Sequence, residues 1–311
     1  MTYPSLTRRQ AIAGAAALPL AAAGARRAAA SAPMMGTDIP THARFRLGGF
    51  EVTTLLAGTR IVPDPQTIFG LNASEEAFAE ASEAAMIPTD ASRFYFTPTV
   101  VNTGSELILF DTGLSPAGTL AALEAAGYSA DQVGHVVITH MHGDHIGGLM
   151  DGDTETFAGA RYVTGATELD AWDMSGNETF EAKVRPLAEA DKIETLEDGG
   201  SVAPGVTAME AFGHTPGHMA YMLESEGQQL LIAADFANHY VWSLAHPDWE
   251  VRFDMDKEAA AATRRRLLGM LAADRVPFVG YHMPFPGLGY VETAGDGFRY
   301  VPHSYQLTMA E

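Results

Sequence analysis

Six consecutive positions in THMHGDHIGG, Thr139 to Gly148, carry three imidazoles and a carboxylate: His140, His142, Asp144 and His145. That density is the donor set of a divalent metal ion. Three further donors close apolar runs elsewhere. AMEAFG leads into His214, LLIAA into Asp235 and PFVGY into His282, as HVVIT leads into His140. One hydrolytic zinc takes three protein ligands and a water, so seven donors are too many for one ion and suit two, provided one carboxylate is shared. His140 and His142 can turn to one ion while Asp144 and His145, on the next turn, face the other. Gly143, Gly147 and Gly148 let the backbone turn tightly there. Two such ions hold a hydroxide between them and polarise the group it attacks, which is hydrolytic chemistry. Asp144 can orient that hydroxide or shuttle a proton to the leaving group. The chain has no cysteine, which excludes thiolate zinc sites and iron–sulfur clusters.

Such donors need rigid supports, and a buried strand with a polar residue at its carboxyl end is one. Strands are expected within Phe45 to Val62, at Phe94 to Asn102, Glu106 to Phe110, Val133 to Thr139, Val206 to Ala211, Met219 to Leu223, Leu230 to Ala234 and Val276 to Gly280. A hairpin is expected over Gly289 to Pro302. Helices are expected at Glu75 to Ala85, Ala117 to Ala126, Ala166 to Met174 and Thr179 to Ala188. Lys257 to Ala273 is the clearest, with leucines on one face and arginines on the other. The alternation of short strands and helices indicates a layered α/β domain, with no internal linker between Phe45 and Glu311.

The 311 residues carry a formal net charge of −20, which argues against nucleic acid as a partner and leaves cation binding open. Thr7-Arg8-Arg9-Gln10, the Ala-rich run to Gly24 and the small residues of AAASAP read as a twin-arginine-type export signal over residues 1–32. A linker over 33–44 follows. The expected location is periplasmic or secreted. The apolar run is too short for a stable membrane anchor. His42, His135, His239, His246 and His303 are read as structural. Phe94, Phe96, Trp172, Phe285 and Leu288 are candidate pocket residues for an apolar or aromatic substrate.

The HxHxDH pattern of THMHGDHIGG resembles the signature of the metallo-β-lactamase superfamily. The DTG at Asp111 to Gly113, GHTPGH at Gly213 to His218, the lone aspartate after LLIAA and the histidine of GYHMPFPG follow in the family's order. The resemblance covers roughly Phe45 to the C-terminus and implies a single-domain αββα sandwich with the metals at one edge of its two sheets. Carried over residue by residue, it implies one ion on His140, His142 and His214, a second on Asp144, His145 and His282, and Asp235 as the bridge. Asp111 and His218 would brace these ligands from behind. Zinc is the expected ion, and imidazole and carboxylate also accept Mn, Fe, Co or Ni.

The segments GHTPGHMAYMLES, RFDMD and HMPFPGLGY are similar to methyl parathion hydrolase and its exported relatives, a group of lactonases, aryl esterases and phosphotriesterases. The resemblance therefore implies an exported dinuclear hydrolase of esters or lactones, with phosphotriesters as a further class and a bridging hydroxide as nucleophile. Two alternatives stand beside it. One is a mononuclear iron oxygenase of the persulfide dioxygenase type. The other is an acyl-homoserine lactone lactonase, although such lactonases place a tyrosine where this chain has Asn238. The expected partner is a small-molecule substrate, and a homodimer is compatible with the sequence.

Overall fold

The computed structural model describes Met34, residues 36–305 and residues 307–309. The expected export signal, residues 1–32, lies outside the described residues. The chain divides into two units after Asp38, and the layered fold belongs to the second, Ile39–Glu311.

Two seven-stranded sheets form the centre of that unit. The first contains β1 (His42–Leu47), β2 (Phe50–Leu55), β5 (Thr99–Asn102), β6 (Leu107–Phe110), β7 (His135–Val137), β10 (Arg161–Gly165) and β11 (Ile193–Leu196), in that order. Strands β6, β7, β10 and β11 run parallel, and the others pair antiparallel. The second contains β12 (Ser201–Ala203), β13 (Val206–Glu210), β14 (Met219–Ser225), β15 (Gln228–Ala234), β16 (Phe278–Gly280), β17 (Leu288–Ala294) and β18 (Gly297–Pro302). Only the β15–β16 pair is parallel here. Two two-stranded sheets stand apart from both: β3 (Gly58–Pro63) with β4 (Ala91–Phe96), and β8 (Met150–Asp151) with β9 (Thr154–Glu155).

The order of layers follows from the period-two alternation of side chains. Val101, Ile108, Phe110 and Val137 meet Tyr221, Leu223, Leu230 and Ile232 between the sheets. The alternate positions Val100, Leu109, Val136 and Ile138 face outward, against Ala122 and Leu123 of helix α2 (Pro116–Ala125). On the far side, Ala220, Leu231 and Ala233 pack on Leu267, Leu268 and Leu271 of helix α8 (Lys257–Asp274). The layers thus run helix, sheet, sheet, helix. The remaining helices are α1 (Glu75–Ala84), α3 (Gly143–Ile146), α4 (Ala166–Asp173), α5 (Glu178–Lys183), α6 (Arg185–Glu189) and α7 (Trp242–Ala245).

Four expectations need correction. Strand β1 begins at His42, so the last three residues of the expected linker belong to the sheet. The run Phe94 to Asn102 is two strands, not one. Pro98 cannot donate to a ladder, and at that point the chain passes from the β3–β4 pair into the first sheet. Strand β7 stops at Val137, short of Thr139, because the Thr139 amide donates to the Asp111 side chain at 2.9 Å. Arg264 of α8 does not face solvent; it is fully buried on the leucine side of the helix.

Candidate metal centre

Every candidate ligand follows a strand end at one edge of the sandwich. His140 and His142 leave β7 in extended backbone, and Asp144 and His145 occupy the single turn of α3. His214 follows β13, Asp235 follows β15 and His282 follows β16. The local backbone is unusual at several of these points. Ala234, just before Asp235, has φ 47° and Asp111 has φ 61°, left-handed values that side chains rarely adopt outside over-determined sites. Gly213 has φ 123°, and a Cβ there would lie 2.2 Å from the Ala260 nitrogen. Only glycine lets the loop carrying His214 sit this close to α8.

The seven side chains meet in three overlapping groups: His140, His142 and His214; His140, His145 and Asp235; and Asp144, His145 and His282. His142 Nδ1 lies 3.2 Å from His140 Nε2 and 3.0 Å from His214 Nε2. His282 Nε2 lies 3.3 Å from Asp144 Oδ2 and 3.0 Å from Asp235 Oδ2. Asp235 reaches both sides: its Oδ1 is 3.5 Å from His145 Nε2 and its Oδ2 is 3.5 Å from His214 Nε2. His145 Nε2 and Asp235 Oδ1 are buried with no hydrogen-bond partner among the described residues. Orphaned polar atoms are costly in an interior and here point into the cluster, as coordinating atoms would. The donor set suits two divalent ions, which would rest on His140, His142 and His214 and on Asp144, His145 and His282, with Asp235 between them.

The protein's own groups divide the two halves electrostatically. Burial, reinforced by His214, pushes His142 down to about 3, and burial pushes His140 well below the usual imidazole range. These rings are therefore neutral, as metal ligands must be. In the other half burial opposes charge on His282, yet Asp235 and Asp144 raise it to about 10. Burial likewise opposes charge on His145, but Asp111 and Asp235 raise it well above its usual range. Burial also disfavours the Asp144 carboxylate, yet His145 and His282 hold it at about 2. The second half is thus a set of ion pairs whose protons a cation would displace.

A further shell fixes the rings. His145 Nδ1 pairs with Asp111 Oδ2 at 2.9 Å, and Asp111 also accepts from the Thr139 hydroxyl at 2.9 Å. His218 Nε2 accepts from the Asp235 amide at 3.0 Å, so it braces Asp235 through its backbone. Three supports were not visible in the sequence. Asp254 joins His214 Nδ1 at 2.8 Å to the buried Arg264 guanidinium, also at 2.8 Å. Glu168 accepts from the amides of Met141 and Gly217 and from the Thr215 hydroxyl. Tyr281 donates to the Asp144 carbonyl at 2.6 Å and its ring lies 3.9 Å from that of His145. The RFDMD segment carrying Asp254 is part of the family resemblance, but nothing in its spacing reveals a contact with His214.

The ligands open onto a cavity of about 530 Å³, a size typical of small-molecule sites. His142, Asp144, Asp235 and His282 form its floor, and Phe94 and Phe96 stand on its wall. The other three candidate pocket residues do not line it. Trp172 is buried and packs edge-on against His142 at 5.8 Å, behind the ligand. Leu288 is in the core between the sheets, because β17 turns it inward. Phe285 is half-buried and off the cavity wall. Asn238 is buried and bonded to Ser243 at 3.4 Å, so no side chain from that position reaches the cavity. His42, His135, His239, His246 and His303 all lie outside the cluster.

The fold is shared with solved structures. AidC, described as a dizinc quorum-quenching lactonase, is 24% identical and superposes with a TM-score of 0.80 over 87% of this chain and all of that one. The hydrolase AbOPH is 21% identical, with a TM-score of 0.81 over the same shares. Among curated sequences, an N-acyl homoserine lactonase from Bacillus sp is 24% identical over 161 residues, or 51% of this chain and 60% of its own length. The uncharacterized protein YobT of Bacillus subtilis (strain 168) is 28% identical over 144 residues, 44% of this chain and 59% of its own. The chain thus spans about 60% of the length of these curated relatives. The family profile described as Metallo-beta-lactamase superfamily matches residues 97–278, more than half of the chain and the stretch that holds six of the seven clustered donors. With the two-sheet sandwich and the donor cluster at its edge, that match makes the chain a member of the metallo-beta-lactamase superfamily.

Proposed function

We propose that the chain is an exported dinuclear zinc hydrolase of lactones and esters, with phosphotriesters as a further substrate class. The observation that carries this reading is the placement of Asp235, whose two oxygens face histidines of both halves of the cluster at the floor of an apolar cavity. Two divalent ions in such a site supply Lewis acidity to a carbonyl or phosphoryl oxygen and lower the pKa of water. The chain's own groups do the rest. His140 and His142 are neutral beside His214, and Asp144, His145 and His282 form an anionic half once their protons leave. Asp144 is on the cavity floor, where its carboxylate can accept a hydrogen bond from the attacking water and pass a proton to the leaving oxygen. Phe94 and Phe96 shield the site from bulk water and offer an apolar surface to an acyl or aryl group. Lactones are favoured among substrates because AidC and the Bacillus sp relative bear that activity in their descriptions.

The test is metal content together with hydrolysis of aryl esters, dihydrocoumarin, acyl-homoserine lactones and a phosphotriester. Near two zinc per chain is expected, with activity falling at least about a hundredfold in Asp235→Ala. One iron per chain, no hydrolysis, and oxygen uptake with a persulfide would replace the hydrolase by the oxygenase. Export rests on Thr7-Arg8-Arg9-Gln10 and the Ala-rich run behind it. Fractionation of cells expressing Arg8→Lys/Arg9→Lys is expected to leave the chain in the cytoplasm, and unchanged export would rule out the twin-arginine route.

A further inference from the structure

Arg60 and Arg252 both stand on the wall of the cavity that holds the metal centre. Apart from the ligands on its floor, they are the only charged residues lining it among the described residues, and the rest of the wall is largely apolar, with Ile61, Ile68 and Phe253. Asp and Glu outnumber Lys and Arg by 39 to 19. Some arginines elsewhere take carboxylate partners: Arg185 with Asp173 and Glu181, Arg265 with Asp248, Arg299 with Glu292, Arg264 with Asp254. Among the described residues Arg60 and Arg252 have no acidic partner, and the Arg252 guanidinium lies over the Phe253 ring at 4.9 Å. A guanidinium is a planar fork that matches a carboxylate with two parallel hydrogen bonds. Two of them on an apolar wall within a strongly acidic protein make a local anion-selective region where the overall field repels anions.

We infer that Arg60 and Arg252 select substrates bearing a carboxylate on an apolar body, at a distance from the bond that is cleaved. The inference rests on the hydrolase reading of the same site and narrows it from esters and lactones in general to anionic ones. The apolar wall takes the chain or ring, the floor takes the scissile group, and the guanidinium pair takes the remote carboxylate.

The probes are para-nitrophenyl half-esters of adipic, suberic and sebacic acids, each beside its methyl ester, which differs only in lacking the distal charge. The metal-loaded enzyme is expected to show a KM about tenfold lower for at least one half-ester than for its methyl ester, an advantage that shrinks as salt is raised. Arg60→Gln and Arg252→Gln should each raise KM for the half-ester several-fold more than KM for the methyl ester. Calorimetric binding of suberate against its monoamide reads the same wall without any turnover. Equal KM for the two ester series, with both variants affecting them alike, overturns the inference while leaving the hydrolase intact. Absence of hydrolysis in both series, with suberate still binding through the arginines, overturns the hydrolase reading and keeps the anion site.

Discussion

Glu168 binds no ligand ring, yet two ligand-bearing loops hang from it. Its carboxylate accepts from Met141 N at 2.9 Å, between His140 and His142, and from Gly217 N at 2.9 Å and Thr215 Oγ1 at 2.7 Å, beyond His214. Burial raises its pKa, against the lowering effect of these donors. Removing the acceptor leaves two buried amides and a hydroxyl unsatisfied, at about 1–3 kcal/mol for each such group. Glu168→Ala is therefore expected to lower unfolding stability in urea by several kcal/mol and to weaken metal binding about 10–100-fold. Glu168→Gln, which keeps one acceptor oxygen, should recover part of both. Wild-type metal affinity in Glu168→Ala would show that the loops are held by their strands alone.

Helix α7 has only four residues and cannot persist by its own hydrogen bonds. It is held by His239, whose Nδ1 accepts from the amides of Val241 and Trp242, each at 3.2 Å. The ring is stacked on Trp242 at 3.9 Å, with Phe69 at 5.2 Å. Burial pushes this imidazole down to about 3, so its neutral form is the one the fold accepts. The folded value lies below the unfolded one of about 6.5. The resulting stability is fully present above about pH 6.5 and is lost as pH falls toward 3. Between about pH 7 and pH 4 the loss attributable to His239 is about 3 kcal/mol. Urea unfolding of wild type and His239→Gln across that range should show their stability difference narrowing by this amount. A constant difference would mean that His239 is protonated at no cost.

Across the whole molecule, the donor cluster joins the two sheets at one edge. His140, His142, Asp144 and His145 follow a strand of the first, and His214, Asp235 and His282 follow strands of the second. Ions held by both would resist separation of the sheets as well as take part in chemistry. Binding to the folded state alone stabilises by about 4 kcal/mol at a thousandfold excess over Kd. Chelation with EDTA is expected to lower the thermal midpoint of the wild-type chain by several degrees, with recovery on adding zinc. Asp235→Ala should respond less, because it lacks the carboxylate shared between the halves. An unchanged midpoint would confine the ions to a catalytic role.

The residues that could bind metal were legible in the sequence because their types are specific and their spacing is local: three imidazoles and a carboxylate in six positions, and single donors closing apolar runs. The strands behind them were legible for a similar reason, since buried runs of Val, Ile and Leu have few other places to go. Strand ends were less so, because at Thr139 an aspartate side chain twenty-eight residues away replaces the ladder partner. The supports formed by Glu168 and by Asp254 with Arg264 depend on residues tens of positions apart meeting behind the donors, as do the two arginines of the cavity wall. Burial decided Trp172 and Leu288 in the same way: an aromatic or aliphatic residue suits a pocket or a core equally well by its chemistry. Local chemistry determined which side chains could coordinate. Long-range packing alone decided what faces each one and how the surroundings push His140, His142, His145, His282 and Asp144 toward a neutral or charged form.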